Sequence, residues 1–211
     1  MAFETISSHN PLILASASPR RRRLLEQIGL PFLVVTSHIR EGMVRDRPER
    51  TALELARRKA EAVFGDTRRN WILGADTLVV IGDRALGKPR GQEEAHAMLR
   101  LLGGLEHEVM TAFCLLDPSG IAAHEELVTT RVCIMPLNDE EIDDYIATGE
   151  PFGKAGGYAI QGIGAFMVEA ISGSYTNVVG LPVSAVVKAL ITRGALKSFP
   201  LSPSASLPPP G

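Results

Sequence analysis

The segment Leu12-Ile-Leu-Ala-Ser-Ala-Ser-Pro-Arg-Arg-Arg-Arg-Leu-Leu25 is the starting point for predicting the fold. Its apolar run predicts a buried strand that leaves a sheet at two serines. Ser18 is a favourable N-cap, and Pro19 suits the first helical position, where its missing N–H costs nothing. The arginines then fill the first turns of a helix that continues to Gly29. Hydroxyls, free N–H groups and guanidinium groups at one helix start predict an anion site, best suited to phosphate.

Charge is distributed unevenly along the chain. The protein has 211 residues, of which 45% are hydrophobic and 22% charged, and its net charge is −2. That length fits one large domain or two lobes that share a sheet. Lys and Arg outnumber Asp and Glu in residues 1–105, and the reverse holds in residues 106–211. We therefore expect the N-terminal half to hold an anionic ligand, although a solvated basic helix face is the alternative for the arginine run.

The cysteines and the N-terminus indicate the compartment. Cys114 and Cys133 lie in strand-like runs, and the turn at residues 118–120 predicts a hairpin that keeps them apart. We expect buried, free thiols in a reducing compartment. Residues 1–10 lack the apolar segment of a signal peptide, and no run is long enough to span a membrane. The sequence therefore predicts a cytoplasmic protein with no membrane partner.

Helix-like and strand-like patterns are mixed along the chain, which predicts an α/β fold. Further helices are predicted at residues 51–64, 92–102, 138–147 and 180–193, and further strands at 32–37, 71–81, 108–116, 126–135 and 165–171. We expect residues 1–10 to form a loose lead-in, 11–197 a single domain of two lobes, and 198–211 a disordered tail.

Two stretches carry residues that such elements do not need. Asp76 stands inside the long apolar run of residues 71–81, where a carboxylate is costly unless a cation or a hydrogen-bond donor accompanies it. The alternative is a structural carboxylate that caps a local turn. Residues 153–164 are rich in glycine but precede a predicted strand, so they do not match a dinucleotide fingerprint. Close approach to a ligand and a bulged sheet edge both remain open there.

Seven short motifs together resemble one family. They are Ser16-Ala-Ser-Pro-Arg-Arg21, Gly74-Ala-Asp-Thr77, Gly87-Lys-Pro89, Gly149-Glu-Pro151, Lys154-Ala-Gly156, Ile160-Gln-Gly162 and Gly180-Leu-Pro182. In order and spacing they resemble the Maf family of nucleoside triphosphate pyrophosphatases, once described as septum formation inhibitors. The resemblance covers residues 11–193. It implies a mixed α/β fold: an elongated, twisted mixed β-sheet flanked by helices, with two lobes and a central cleft, similar in shape to inosine triphosphatases.

The resemblance also implies an activity and its subgroup. The activity is a magnesium-dependent cut between the α and β phosphates, with Mn²⁺ as the alternative metal and a homodimer as the assembly. Arg20, Thr77 and Gln161 resemble the dTTP/UTP subgroup, whereas the 7-methyl-GTP subgroup carries a bulky aromatic in place of Arg20. Gln161 offers a donor and an acceptor, as the O4/N3 edge of uracil or thymine requires. The expected substrates are the small molecules dTTP and UTP, together with modified pyrimidine triphosphates.

The matched positions suggest how the triphosphate charge is offset. Arg21, Lys59 and Lys88 form the predicted cationic clamp, and Ser16 and Ser18 add hydrogen-bond donors. For Lys59, residue type alone would favour a helix-surface lysine, and the match to the family changes that expectation.

The acidic matches suggest a metal site and a base. Glu41 and Asp76 are the predicted Mg²⁺ ligands, and Asp76 is also the predicted general base. The segment His38-Ile-Arg-Glu41 lacks the other carboxylates that the family often carries there. This departure leaves the number of metal-binding groups open.

The predicted enzyme would remove surplus or non-standard triphosphates from the nucleotide pool. Two other functions are its alternatives. A nucleotide-binding regulator of cell division would need neither a buried carboxylate nor a metal pair. An RNA-binding module that uses Arg20–Arg23 conflicts with the negative net charge and with an aromatic content of 5%. No nucleic-acid partner is therefore predicted. His107 also resembles a family position, and we interpret it as structural because nothing near it in sequence suggests proton transfer.

Overall fold

Residues 3–39, 47–65, 67 and 69–201 are described by a computed structural model. Helices and strands alternate along this part of the chain. The strands are β1 (Leu12–Leu14), β2 (Phe32–Val34), β3 (Ile72–Ile81), β4 (Arg84–Leu86), β5 (Glu106–Leu116), β6 (Ala122–Ile134) and β7 (Val168–Ser172). The helices are α1 (Pro19–Gln27), α2 (Pro48–Phe64), α3 (Gln92–Leu102), α4 (Asp139–Ala147), α5 (Tyr175–Val179) and α6 (Val183–Thr192).

All seven strands form one mixed sheet in the order β2-β1-β3-β5-β6-β7, with β4 paired to β3. β1 is parallel to both β2 and β3, whereas the remaining pairs are antiparallel. The long β3 and β5 strands are paired from Ile72↔Leu116 to Val80↔Glu108. The predicted mixed α/β fold, with a sheet flanked by helices, is confirmed.

The two faces of the sheet are covered differently. On one face, α2 lies along β3 and β5, and its alanines pack with Ile72, Leu78 and Met110. The other face carries two clusters, one with α1 and α6 around Leu73 and one with α3 and α4 around Val79. Strand residues alternate between faces, so Thr77 lies between these two clusters. The division into two lobes stays a prediction.

One predicted strand needs correction, and one helix was not predicted. The strand predicted at residues 165–171 begins later, at Val168, because a 3₁₀ helix at Ile163–Met167 takes up the preceding residues. Helix α5 is absent from the predicted elements, since five residues are too few to show helical periodicity. Its N-cap is Ser174, whose side chain accepts a hydrogen bond from the Asn177 N–H.

The ends of the described chain contact the core. Ile6, in the segment predicted as a loose lead-in, is buried and donates its N–H to the Ala195 carbonyl over 2.8 Å. Phe199 and Leu201, in the segment predicted as a tail, pack on the cluster around Leu73. Residues 202–211 lie outside the described part. Within the described part, no helix is both long and apolar enough to cross a membrane.

The cysteines are free and held apart as expected, but only Cys114 is buried. Both are free thiols on strands that place Cys114 opposite Glu125 and Cys133 opposite Glu106. Cys114 is buried, and burial raises the pKa of its thiol to about 12. Cys133 is only half-buried, because β6 exposes part of that face.

Candidate active site

A gap between two strands defines the candidate site. On one side of β3, β1 pairs with Ile72 and Leu73, whereas β4 pairs with residues 79–81. The stretch of β3 from Gly74 to Leu78 therefore lies between them. β1 is parallel to β3 and β4 is antiparallel, so both strands run towards this stretch from opposite ends. The segments that follow them, with Ser16 after β1 and Lys88 after β4, consequently converge on it.

Asp76 lies on the α2 face of this stretch, in a buried ion pair. Its Oδ1 is 2.6 Å from the Lys59 Nζ, and the two residues are only 5% and 7% exposed. At that distance the contact is a charge-assisted hydrogen bond as well as an ion pair. The predicted strand position of Asp76 is therefore accompanied by the cation that its burial requires. Lys59 is not the surface lysine that its residue type alone would favour.

Gly74 explains how α2 reaches Asp76. A Cβ at Gly74 would lie 2.1 Å from the Ala56 carbonyl oxygen and 2.8 Å from the Ala60 nitrogen. Only glycine therefore lets the helix backbone approach the strand this closely. Asp76 follows Gly74 on the same face, and Lys59 lies one turn beyond Ala56 along the helix, so the close contact places both charges together.

Arg21 crosses to the opposite face of β3. Its Nε donates to the Gly180 carbonyl over 2.7 Å, Nη1 to Ser16 Oγ over 3.1 Å, and Nη2 to Thr77 Oγ1 over 3.0 Å. Arg21 is buried, whereas Thr77 is only half-buried. The structure thus brings three predicted site residues together, around a guanidinium that joins the start of α1 to the loop after α5.

The start of α1 is built as the sequence predicts. Ser18 caps the helix, with its Oγ accepting from the Arg21 N–H, and its own N–H donates to Ser16 Oγ over 3.2 Å. Pro19 takes the first helical position. The two serine hydroxyls therefore order the turn between β1 and α1.

Thr111, Thr130 and Asn177 extend the Thr77 network and were not predicted as site residues. Thr111 Oγ1 lies 2.9 Å from Thr77 Oγ1 and donates to the Asn177 carbonyl over 3.1 Å. The Asn177 side-chain amide donates to the Val109 carbonyl and to Thr130 Oγ1. All three residues are fully buried. Their only signal in the sequence is that they are polar residues in otherwise apolar surroundings.

Arg20 and Lys154 bring positive charge to the side of the gap nearest α5. Arg20 is half-buried, donates from Nε to the Val179 carbonyl over 3.3 Å, and has its pKa lowered by burial. Burial, and then the nearby charge of Arg20, lower the pKa of Lys154. A half-buried lysine beside a half-buried arginine suits an anionic ligand. Lys154 begins the motif Lys154-Ala-Gly156 but was not predicted as a site residue.

The glycine-rich passage is held by Glu150. Its carboxylate accepts from Tyr145 Oη over 2.8 Å, from the Ile163 N–H over 3.0 Å and from the Gly164 N–H over 2.7 Å. A Cβ at Gly162 would lie 2.1 Å from Glu150 Oε1. The passage therefore approaches the protein's own carboxylate closely and forms 3₁₀ turns rather than a bulged sheet edge. Gln161, half-buried, precedes this anchored turn.

Lys88 and Glu41 are the remaining predicted site residues. Lys88 is exposed, in a turn joined to the glycine-rich passage by the Gly156 N–H, which donates to the Gly87 carbonyl over 3.0 Å. Glu41 lies outside the described residues. Across the described residues, no cluster of three or more His, Cys, Asp or Glu is arranged to hold a metal ion.

His107 is buried at the far end of β5. Its Nε2 lies 2.8 Å from Tyr158 Oη, and burial lowers the pKa of His107 to about 4. The imidazole is therefore neutral at pH 7. Its contact joins the sheet to the glycine-rich passage, which agrees with a structural interpretation.

Comparison with known proteins yields a consistent set of relatives. A family model described as Maf-like protein matches residues 11–193. A dTTP/UTP pyrophosphatase of Geobacillus sp. (strain WCH70) is 50% identical over 178 residues, covering 84% of this chain and 95% of the relative. A dTTP/UTP pyrophosphatase of Ruminiclostridium cellulolyticum is 48% identical over 175 residues, covering 82% and 91%.

Among solved structures, a nucleoside-triphosphatase / dITP/XTP pyrophosphatase from Mycobacterium abscessus aligns with 60% of this chain and 75% of its own. Its TM-score of 0.37 and identity of 15% are too low to support an argument about this chain. The family model, by contrast, spans the strands and helices that form the gap. The chain belongs to the Maf family.

Proposed function

We propose that this protein hydrolyses the pyrimidine nucleoside triphosphates dTTP and UTP to the nucleoside monophosphate and pyrophosphate. The observation that carries the proposal is the buried Asp76–Lys59 pair beneath the gap in the sheet. A buried ion pair often adds little to the stability of a fold, because the cost of removing two charges from water offsets their attraction. The burial of Asp76 with Lys59 therefore favours a functional role over a purely structural one. The names of relatives that are 48% and 50% identical to this chain support the choice of substrate.

The cations of the site serve to hold the triphosphate. A triphosphate carries close to four negative charges near pH 7, and positioned cations stabilise the charge that develops as phosphorus is attacked. Lys88 and Lys154 approach the gap from the β4 turn and the glycine-rich passage, and Arg20 approaches it from α1. Arg21 was predicted as part of the clamp. Its contacts add a positioning role, since it fixes Ser16 and Thr77.

Asp76 serves as the general base. A water molecule attacks the α phosphorus, its proton passes to the Asp76 carboxylate, and the bond from the α phosphorus to the bridging oxygen breaks. Pyrophosphate leaves with that oxygen. Lys59, 2.6 Å from Asp76 Oδ1, fixes the carboxylate and keeps a positive charge beside it.

The donor set suits a divalent ion such as Mg²⁺. This ion is held in enzymes of this chemistry by one or two carboxylates together with substrate phosphates and waters, so it needs no larger protein cluster. Asp76 and, from its sequence position, Glu41 would hold it. When bound, the ion would polarise the phosphate oxygens and offset their charge.

Base recognition is assigned to Arg20, Thr77 and Gln161. Thr77 is the half-buried end of an otherwise buried polar network, and Gln161 is held next to the turn that Glu150 anchors. Both residues carry neutral groups, which suits the uncharged edge of a pyrimidine. We also propose the homodimer and the cytoplasmic location that the sequence predicts.

The proposal is tested by measuring pyrophosphate release from a panel of nucleoside triphosphates, with Mg²⁺ and with a chelator. We expect turnover of dTTP and UTP that requires the metal. Asp76→Asn should lower kcat by roughly 10³-fold, because a positioned base contributes about 10²–10⁴-fold. Asp83→Asn, at an exposed aspartate in the β3–β4 turn, is the matched control and should leave kcat unchanged.

Thermal denaturation and equilibrium binding of a nucleotide should accompany the rates. They show whether Asp76→Asn folds and still holds its ligand. Unchanged turnover in folded Asp76→Asn would overturn the assignment of the base. Nucleotide binding by the wild-type protein without turnover would instead favour the regulator.

A further inference from the structure

The protons of the Thr77 network can be assigned from the donors and acceptors around them. The Asn177 carbonyl can only accept, and Thr111 Oγ1 lies 3.1 Å from it, so the Thr111 proton points there. Thr111 Oγ1 then accepts the Thr77 proton across 2.9 Å. Arg21 Nη2, which can only donate, occupies one lone pair of Thr77 Oγ1.

A second arrangement of the Thr77 proton is less favourable. Thr77 Oγ1 also lies 3.5 Å from the Gly180 carbonyl, which already accepts from Arg21 Nε at 2.7 Å. If the Thr77 proton pointed there, Thr111 would donate to Thr77, and the buried Asn177 carbonyl would lose its Thr111 donor while keeping the Gly180 N–H at 2.9 Å. Arg21 and Thr111 would then fill both lone pairs of Thr77 Oγ1, so Thr77 would have nothing to offer a ligand. In the first arrangement the Thr77 proton is held by Thr111, so Thr77 offers a ligand a lone pair but no proton.

The surroundings keep Thr111 in this role. Thr111 and Asn177 are 0% exposed, whereas Thr77 keeps part of its surface accessible, so the network meets a ligand at Thr77. The Asn177 amide donates to Val109 and Thr130, and Thr130 in turn receives the Ser174 N–H over 3.0 Å. Helix α5 is thus fixed to β5 and β6, and its Asn177 carbonyl cannot easily turn away from Thr111.

We propose that Thr111 is a positioning residue that makes Thr77 an acceptor and so selects pyrimidines that carry a proton on N3. Uracil and thymine have this N3–H, whereas N3 of cytosine carries a lone pair that would face the lone pair of Thr77. The inference rests on the proposed function and extends it to a residue that has no contact with the ligand.

Thr111→Val tests the inference, because valine keeps the shape of threonine and removes the hydroxyl. The Thr77 proton would then lose its acceptor on Thr111 and could turn towards a ligand. We expect the ratio of kcat/KM for UTP to that for CTP to fall by about tenfold or more, as when a paired polar contact is lost. Thr111→Ser, which keeps the hydroxyl, should restore the ratio.

The control is Thr129→Val, which removes an exposed hydroxyl from neighbouring β6 and should leave the ratio unchanged. A purely structural Thr111 would instead lower both rates together. An unchanged ratio in Thr111→Val, or an equal loss in Thr111→Ser, would overturn the inference.

Equilibrium binding of UMP and CMP separates this inference from the proposed function. If the wild-type protein turns over neither UTP nor dTTP, the proposed function fails. In that case, the ratio of UMP affinity to CMP affinity is compared between the wild type and Thr111→Val. A lower ratio in Thr111→Val would support the role of Thr111 in selectivity, and an unchanged ratio would overturn it.

Discussion

Asp76 and Thr77 are neighbours in β3, yet their side chains lie in opposite kinds of surroundings. Asp76 faces α2 and, within the described part of the chain, forms a charged contact with Lys59. Thr77 faces the other side, where neutral hydroxyls, an amide and backbone carbonyls from several elements share the hydrogen bonds with Arg21. A buried charge depends for its stabilisation on one oppositely charged partner, whereas a neutral network divides its hydrogen-bond energy among several residues. We therefore expect abrupt losses on the Asp76 face and graded ones on the Thr77 face.

Lys59→Met should give the largest effect on stability. It leaves Asp76 buried without this cation, and breaking a buried pair costs about 3–5 kcal/mol in the free energy of unfolding. Arg58→Met, which removes an exposed cation from the same helix, is the control and should change it by less than about 0.5 kcal/mol. Urea denaturation measures both variants.

The double variant Lys59→Met/Asp76→Leu sharpens this test. Replacing both charges by apolar groups should recover most of the lost stability, because no buried charge remains. Turnover should nevertheless stay absent. A double variant as unstable as Lys59→Met alone would show that the pair contributes through packing rather than through charge.

Gly74→Ala should act on the same face through distance. Its Cβ would overlap the Ala56 carbonyl oxygen, so α2 must move away from β3, at a cost of about 1–3 kcal/mol or more. The shift should also separate Lys59 from Asp76 and lower kcat. Gly65→Ala, at the end of α2 where a Cβ meets nothing within 4 Å, is the matched control. Equal stability of the two variants would contradict the close contact.

The protonation of His107 tests whether the buried groups on the Thr77 face of the sheet are neutral. Its pKa is lowered from 6.5 to about 4, so the unfolded chain binds this proton more readily than the folded one. Stability from this group is complete above pH 6.5 and is lost as pH falls towards 4. Between pH 7 and pH 5 the loss should be about 2 kcal/mol.

Urea denaturation at both pH values measures that loss. His107→Gln should lack this part of the pH dependence, whereas His9→Gln, at an exposed histidine, should keep it. Parallel pH curves for wild type and His107→Gln would contradict a neutral buried imidazole.

The same contrast explains what the sequence could predict. Asp76 is conspicuous because a carboxylate in an apolar strand has a cost that must be offset. Lys59 was predicted only through the family resemblance, since a lysine on a helix gives no sign of facing inward. Thr111 was missed because threonine is an ordinary strand former, and its role depends on which residues pair with it across the sheet.

The fold itself was more predictable than the network. Helix α3 and the capping box of α4 begin where local patterns place them, because caps and periodicity act over a few residues. The gap between β1 and β4 could not be predicted, because it depends on strand order and register. The contact of Ile6 with the core also depends on residues far away in sequence.

The gap has a consequence for the peptide groups of β3. The carbonyls of Trp71 and Leu73 accept hydrogen bonds from Ile13 and Ala15, so these residues direct their backbone towards β1. Alternation along the strand sends the peptide group of Thr77, which is half-buried, in the same direction, into the gap. Part of the ligand-facing surface is therefore main chain, which no side-chain replacement removes. Evolution can exchange the residues around this opening while the backbone portion of the surface persists.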